Sequence, residues 1–202
     1  MIKLILVRHG TTICNEGGAF SGLTDSKLSE EGNEQANKLT QYLKDENIDR
    51  IYTTPFSRTK ETVKKLAEIK NIQIEERSQL NEINFGDFEG LSFKGIEKEY
   101  PEEIEKMIKE GFEYKYPNGE SLVDTFIRVR HEVKKIISDN ENSTVLICSH
   151  GGTIRNIISY LLCDDYKYHW NFRIDNCSIT EIEVDNNFAV INKLNDKTYF
   201  EL

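Results

Sequence analysis

Two runs of consecutive apolar residues, each stopped by a histidine and a glycine, constrain this chain more than any other feature. Leu4-Ile5-Leu6-Val7 leads into Arg8-His9-Gly10, and Thr144-Val145-Leu146-Ile147-Cys148 leads into Ser149-His150-Gly151-Gly152. A strand with no polar position has both faces covered, which is the situation of a parallel sheet between helices. The glycine lets the backbone turn sharply. Each histidine therefore stands at the carboxyl end of a buried strand, where open α/β sheets bind ligands.

The intervening segments supply the helices and further strands. Gly10 to Ser26 is a loop in which Asn15, Ser21, Gly22 and Thr24 offer neutral hydrogen-bonding groups close to His9 in sequence. Ser29 caps a helix with Gln35, Ala36, Leu39 and Leu43 at helical spacing. Ile48 to Tyr52 reads as a strand, and Pro55 and Ser57 mark the turn and cap of a helix running to about Ile69. Arg58 then lies in the first turn of that helix. A cation meets the positive helix end there, so either the side chain reaches solvent or an anion sits between them. Ile72 to Ile74 is a brief strand.

Leu80 to Gly90 is a loop in which Glu82 is flanked by Leu80, Ile83 and Phe85. Partial burial there would raise the carboxyl pKa and suit it to acid catalysis. Residues 91–117 form an acidic, aromatic, helical segment, a cap-like insert. Glu120 or Ser121 opens a helix to about Asp139, with Leu122, Phe126, Val129, Val133, Ile136 and Ile137 on one stripe. A helix carrying Ile154, Ile157, Ile158 and Leu161 follows His150. Ser178 to Val184 and Phe188 to Leu194 read as a hairpin around an Asp-Asn-Asn turn. The expected fold class is α/β, a three-layer α/β/α sandwich. Its central sheet is mostly parallel, with one antiparallel strand near the C-terminus.

The 202 residues fit a single domain, 1–202, with a full core. A net charge of −9 makes nucleic acid and anionic membrane poor partners. An anionic ligand would need a local cluster of Arg and His to offset that field. No apolar run approaches a membrane span, and Ile2 to Val7 is too short for a signal-peptide core. The expected location is therefore cytoplasmic. Cys14, Cys148, Cys163 and Cys177 have no CxxC spacing, which removes zinc and redox motifs. Cys148 and Cys177 are expected in the core, and His131 and His169 are expected to be structural. Monomer and homodimer are both open.

His9, Arg8, Arg58, Glu82 and His150 form a chemically coherent set. GxxxxGK[ST], HExxH and grouped aspartates are absent from the sequence, so no metal or other cofactor is expected. Metal-free transfer of a phosphoryl group to histidine uses all five residues. Arginine forks match phosphoryl oxygens and offset their charge.

The same residues lie in motifs that resemble the histidine phosphatase superfamily, which includes the cofactor-dependent phosphoglycerate mutases. The motifs are Leu6-Val7-Arg8-His9-Gly10, Asn15, Leu28-Ser29-Glu30-Glu31-Gly32 with Gln35-Ala36, and Pro55-Phe56-Ser57-Arg58-Thr59. They continue with Leu80-Asn81-Glu82, Phe85-Gly86-Asp87-Phe88-Glu89-Gly90, Pro117-Asn118-Gly119-Glu120-Ser121 and Ser149-His150-Gly151-Gly152-Thr153-Ile154-Arg155. The resemblance implies the phosphoglycerate mutase-like fold, with His9 as the phosphorylated nucleophile and Glu82 as the proton donor. It also implies a phosphate pocket of Arg8, Arg58 and His150, with Asn15, Ser21, Gly22 and the backbone of Gly151 adding contacts.

Two departures narrow that expectation. Cys14 stands where the family usually has an aromatic residue, and residues 91–117 contain no arginine. Mutases usually carry adjacent arginines and a lysine in that insert. The expectation is therefore a metal-independent phosphomonoesterase acting on a small phosphorylated metabolite. Its Phe85 to Gly90 loop and Asp175 to Thr180 are similar to those of α-ribazole phosphatase. The alternatives are mutase-type phosphoryl transfer and a non-catalytic phosphate-binding module. Such a module normally loses the nucleophile or the acid, and both are present here.

Overall fold

The computed structural model describes residues 1–201. Six strands form one sheet: β1 (Ile2–Arg8), β2 (Arg50–Thr53), β3 (Ile74–Glu76), β4 (Thr144–Ser149), β5 (Ile179–Asp185) and β6 (Phe188–Asp196). Their order is β3-β2-β4-β1-β5-β6. The pairs β1–β4, β2–β4 and β2–β3 are parallel, and β5 runs antiparallel to both β1 and β6. One strand is thus reversed, β5, as expected near the C-terminus.

The helices are α1 (Ile13–Gly17), α2 (Glu30–Leu43), α3 (Ser57–Lys70), α4 (Phe93–Glu99), α5 (Pro101–Glu110), α6 (Leu122–Asp139) and α7 (Gly151–Cys163). β1 shows why they lie on both sides. Leu4, Ile5, Leu6 and Val7 are all fully buried. Leu4 and Leu6 pack with Val129, Val133 and Ile136 of α6 and with Ile154, Ile157 and Ile158 of α7. Ile5 and Val7 face the other way, onto Leu39 and Leu43 of α2 and Val63, Leu66 and Ala67 of α3. Among the described residues no helix is long and apolar enough to cross a membrane.

Four local expectations change. The third strand is Ile74–Glu76 because Asn71 turns left-handed at φ 54° and the Ile72 N–H closes α3 on the Ala67 carbonyl at 3.0 Å. Ser57 is the first helical residue and not the cap, since the Asp25 carboxylate accepts its N–H at 3.0 Å from a distant loop. Thr12 and Asn15 form a capping box that folds α1 inside the expected loop. His131 is exposed on α6, whereas His169 is buried against Asn156 as a structural histidine would be.

Two glycines join α2 to the site. A Cβ on Gly10 would meet the Gly32 carbonyl oxygen at 2.7 Å, and one on Gly32 would meet the Thr11 carbonyl oxygen at 2.0 Å. The helix start therefore rests backbone to backbone on the turn that follows His9.

Candidate active site

The sheet register brings the two histidines together. Arg8 pairs with Ser149, and the His9 N–H donates to the Ser149 carbonyl at 3.0 Å. The rings of His9 and His150, distant in sequence, lie 5.2 Å apart edge to face. β2 lies on the other side of β4, so the first turn of α3 delivers Arg58 to the same edge.

His9 is 5% exposed, and its Nδ1 lies 2.8 Å from the Gly10 carbonyl oxygen. A carbonyl only accepts, so Nδ1 carries the proton and Nε2 is left with its lone pair. Burial, then the charges of Arg8 and Arg58, push the His9 pKa well below its ordinary value. The ring is therefore neutral near pH 7.

Arg58 is 1% exposed. Its Nη2 donates to the Gly22 carbonyl at 2.6 Å and its Nη1 to the Thr24 carbonyl at 2.7 Å. Its Nε donates to His150 Nδ1 at 3.2 Å. A guanidinium has five N–H groups, so these three bonds leave two for a ligand. Because Nε can only donate, His150 Nδ1 accepts and His150 Nε2 carries the proton, which it gives to Thr54 Oγ1 at 3.1 Å. Burial, Arg58 and His9 all lower the His150 pKa strongly. His150 is thus a neutral strut for Arg58, with both ring nitrogens engaged.

Arg8 donates through Nη1 to the Ile174 carbonyl at 2.8 Å, while its buried Nε has no partner. A Cβ on Gly151 would lie 3.4 Å from that Nε, so the guanidinium rests over the first turn of α7. The His150 side chain does not cap α7. An unpaired buried donor costs free energy unless an anion arrives.

Glu82 faces the same helix start. Its carboxylate accepts the Gly152 N–H at 2.9 Å and the Ile83 N–H at 3.1 Å, and Thr153 Oγ1 lies at 3.4 Å. Leu80 joins the core, so apolar packing anchors the loop while the carboxylate meets polar groups. Arg128 donates to the Gln79, Asn81 and Glu82 carbonyls and is held by Glu120. That brace was not signalled by any spacing in the sequence.

The remaining expected residues take supporting positions. Asn15 Oδ1 accepts from the Thr12 N–H and from Asn176 Nδ2, both at 3.1 Å. Asn176 Nδ2 also reaches the His9 carbonyl at 3.0 Å. Ser21 Oγ donates to the Thr24 carbonyl, and the Gly22 N–H is taken by Glu89. Ser21 and Gly22 therefore belong to the loop that holds Arg58. Thr54, Asn176 and Glu89 were missed as site residues, although Glu89 and Asn176 lie within motifs noted above. Arg155 was noted without a role. It donates to the Phe172 carbonyl, lies over the Trp170 ring at 5.3 Å and carries a charge that Glu82 and Arg8 both feel.

Comparison with known proteins identifies the family. The family model described as histidine phosphatase superfamily (branch 1) matches residues 4–197. The chain is 35% identical over 195 residues to phosphoserine phosphatase 1 of Hydrogenobacter thermophilus, covering 96% of this chain and 92% of that protein. It superposes on the alpha-ribazole phosphatase of Shigella flexneri with a TM-score of 0.91 at 26% identity, over 96% of each chain. A phosphoserine phosphatase from Entamoeba histolytica in complex with 3-phosphoglyceric acid gives a TM-score of 0.85 at 28% identity, over 98% of this chain and 99% of that one. The chain belongs to the histidine phosphatase superfamily, branch 1, and is a phosphatase of that family.

Proposed function

We propose that this enzyme hydrolyses a small phosphomonoester through a phosphohistidine at His9. The observation that carries the reading is the neutral His9 ring, its Nδ1 proton fixed by the Gly10 carbonyl, facing Arg8 and Arg58. In the first step the Nε2 lone pair attacks phosphorus, an N–P bond forms and the ester P–O bond breaks. The leaving oxygen takes a proton from the Glu82 carboxyl. In the second step Glu82, now a carboxylate, takes a proton from water. The water oxygen attacks phosphorus and the N–P bond breaks, releasing inorganic phosphate and neutral His9. The buried Arg8 Nε, the open N–H groups of Arg58 and the backbone of Gly151 hold the phosphoryl oxygens.

The first substrate to test is phosphoserine, because a phosphoserine phosphatase is among the relatives. Arg155 beside Glu82 gives its carboxylate a cationic neighbour on the side of the leaving group. The 91–117 insert contributes aromatic rings, and we assign substrate choice to it. Four free thiols and the lack of a spanning helix among the described residues support a cytoplasmic location.

The test is phosphate release from a panel of phosphorylated metabolites with a chelator present, together with trapping of the phosphoenzyme. The trapped label is expected to be lost in acid and kept in base. An acid-stable label overturns His9 as nucleophile, and a phosphoryl shift without phosphate release replaces hydrolysis with mutase chemistry.

A further inference from the structure

Glu89 takes no part in the steps above, yet its carboxylate gathers four backbone N–H groups. The Gly22 N–H lies 3.0 Å from Oε1 and 3.1 Å from Oε2. Leu23 donates at 2.9 Å, Thr24 at 3.1 Å and Phe85 at 3.2 Å. Three consecutive amides aimed at one carboxylate fix the direction of the whole 22–24 loop.

The peptide unit between Gly22 and Leu23 shows what that direction is for. A trans peptide is planar, with its N–H and C=O pointing opposite ways. The Leu23 N–H end of this unit sits on Glu89, and its Gly22 carbonyl end accepts Arg58 Nη2 at 2.6 Å. One rigid plane therefore spans from Glu89 to Arg58. Hydrogen bonds chained through a peptide also polarise one another. Thr24, whose N–H is the loop's last to Glu89, holds Arg58 Nη1 with its own carbonyl at 2.7 Å.

The Gly22 position allows no slack. A Cβ there would meet the Ile83 carbonyl oxygen at 1.8 Å and Glu89 Oε1 at 2.6 Å. The Phe85 N–H ties the same carboxylate to the loop that carries Glu82. Glu89 thus joins the loop behind the arginine to the loop behind the acid.

We propose that Glu89 is a positioning residue for the phosphoryl clamp, holding the 22–24 loop so that its carbonyls fix the Arg58 guanidinium. This rests on the reading of Arg58 as a phosphoryl ligand. Without the carboxylate, four N–H groups lose their acceptor and the carbonyls turn away from Arg58. The loss appears in anion affinity before it appears in the chemical step.

The test compares wild type with Glu89→Gln, Glu89→Ala, Arg58→Ala and the Arg58→Ala/Glu89→Ala double variant. Orthovanadate inhibition, KM, kcat and Tm are measured with an aryl phosphate monoester. Glu89→Gln is nearly isosteric, so it carries the test if Glu89→Ala does not fold. Glu89→Gln is expected to raise the vanadate inhibition constant and KM about 10-fold, with kcat changed less, because it removes charge-assisted bonds. Glu89→Ala is expected to add nothing to the loss in kcat/KM once Arg58 is gone, since coupled residues are not additive. The inference is overturned if Glu89→Gln lowers Tm while the vanadate constant stays within about two-fold of wild type, or if the two losses multiply. If vanadate does not inhibit wild type, or Arg58→Ala leaves inhibition intact, the reading of the site fails as well. Inhibition that needs Arg58 and ignores Glu89 defeats this inference alone.

Discussion

The floor of the site and its outer wall are held by different forces. The floor is made of strand ends in register, two glycines in backbone contact and buried side chains bonded to carbonyls. The segment we propose as the wall is 91–117, where α5 buries no residue and ion pairs such as Lys106 with Glu103 stand in solvent. Its ties to the rest of the molecule include two backbone bonds between Phe20 and the 90–91 segment, the Asp87 N–H to the Pro117 carbonyl at 2.9 Å and a chain of aromatic edges. In that chain Phe20, Phe85, Tyr116 and Tyr114 follow one another at 4.9, 5.1 and 5.2 Å. Removing one partner from a buried polar contact leaves the other unpaired at full desolvation cost, whereas exposed pairs contribute little. The geometry of the floor is thus over-determined, whereas exposed pairs add little to hold α5.

The contrast breaks if floor substitutions are mild or insert substitutions are severe. His9→Ala removes the proposed nucleophile and is expected to lower kcat by on the order of 10^4-fold or more with the fold intact, checked by turnover and circular dichroism. Glu82→Gln keeps the hydrogen-bonding shape but cannot give up a proton. It is expected to lower kcat by on the order of 10^2 to 10^4-fold, checked by turnover of a phosphate monoester.

The buried histidines make a pH prediction about stability. His9 and His150 lie well below their ordinary pKa, and burial pushes His169 down to about 3. In the unfolded chain each takes a proton near pH 6.5, while the folded chain keeps them neutral to lower pH. The unfolded state binds more protons in that window, so stability is lost as pH falls from about 6.5 toward 3. Urea midpoints between about pH 4 and 7 are expected to fall more gently for His169→Gln, by up to about 1.4 kcal/mol per pH unit.

The insert gives the smallest effects. Tyr114→Phe loses the hydroxyl bond to Glu103 at 2.7 Å and is expected to change relative KM values across a substrate panel a few-fold, leaving kcat for a generic ester unchanged. Lys106→Ala, at an exposed pair, is expected to change neither Tm nor turnover measurably.

Much of the floor was legible in the chain. Unbroken apolar strands ending in His-Gly demanded a covered parallel sheet, and an arginine in a helix's first turn demanded a reason. Glu89 and Asn176 were harder, because most of their partners are backbone groups far away in sequence. A carboxylate bonded to peptide N–H groups needs no particular residue type at the other end, so no spacing announces it. Ser57 misled for a related reason: its own hydroxyl suits a cap, but Asp25 takes the N–H.

The sequence by itself determined which strands are buried on both faces, which histidines end them and which cations lie near, since burial and turning follow from local side-chain chemistry. Only the tertiary structure decided which nitrogen of each histidine carries its proton. That depends on whether a carbonyl, as for His9, or an arginine, as for His150, stands at hydrogen-bonding distance.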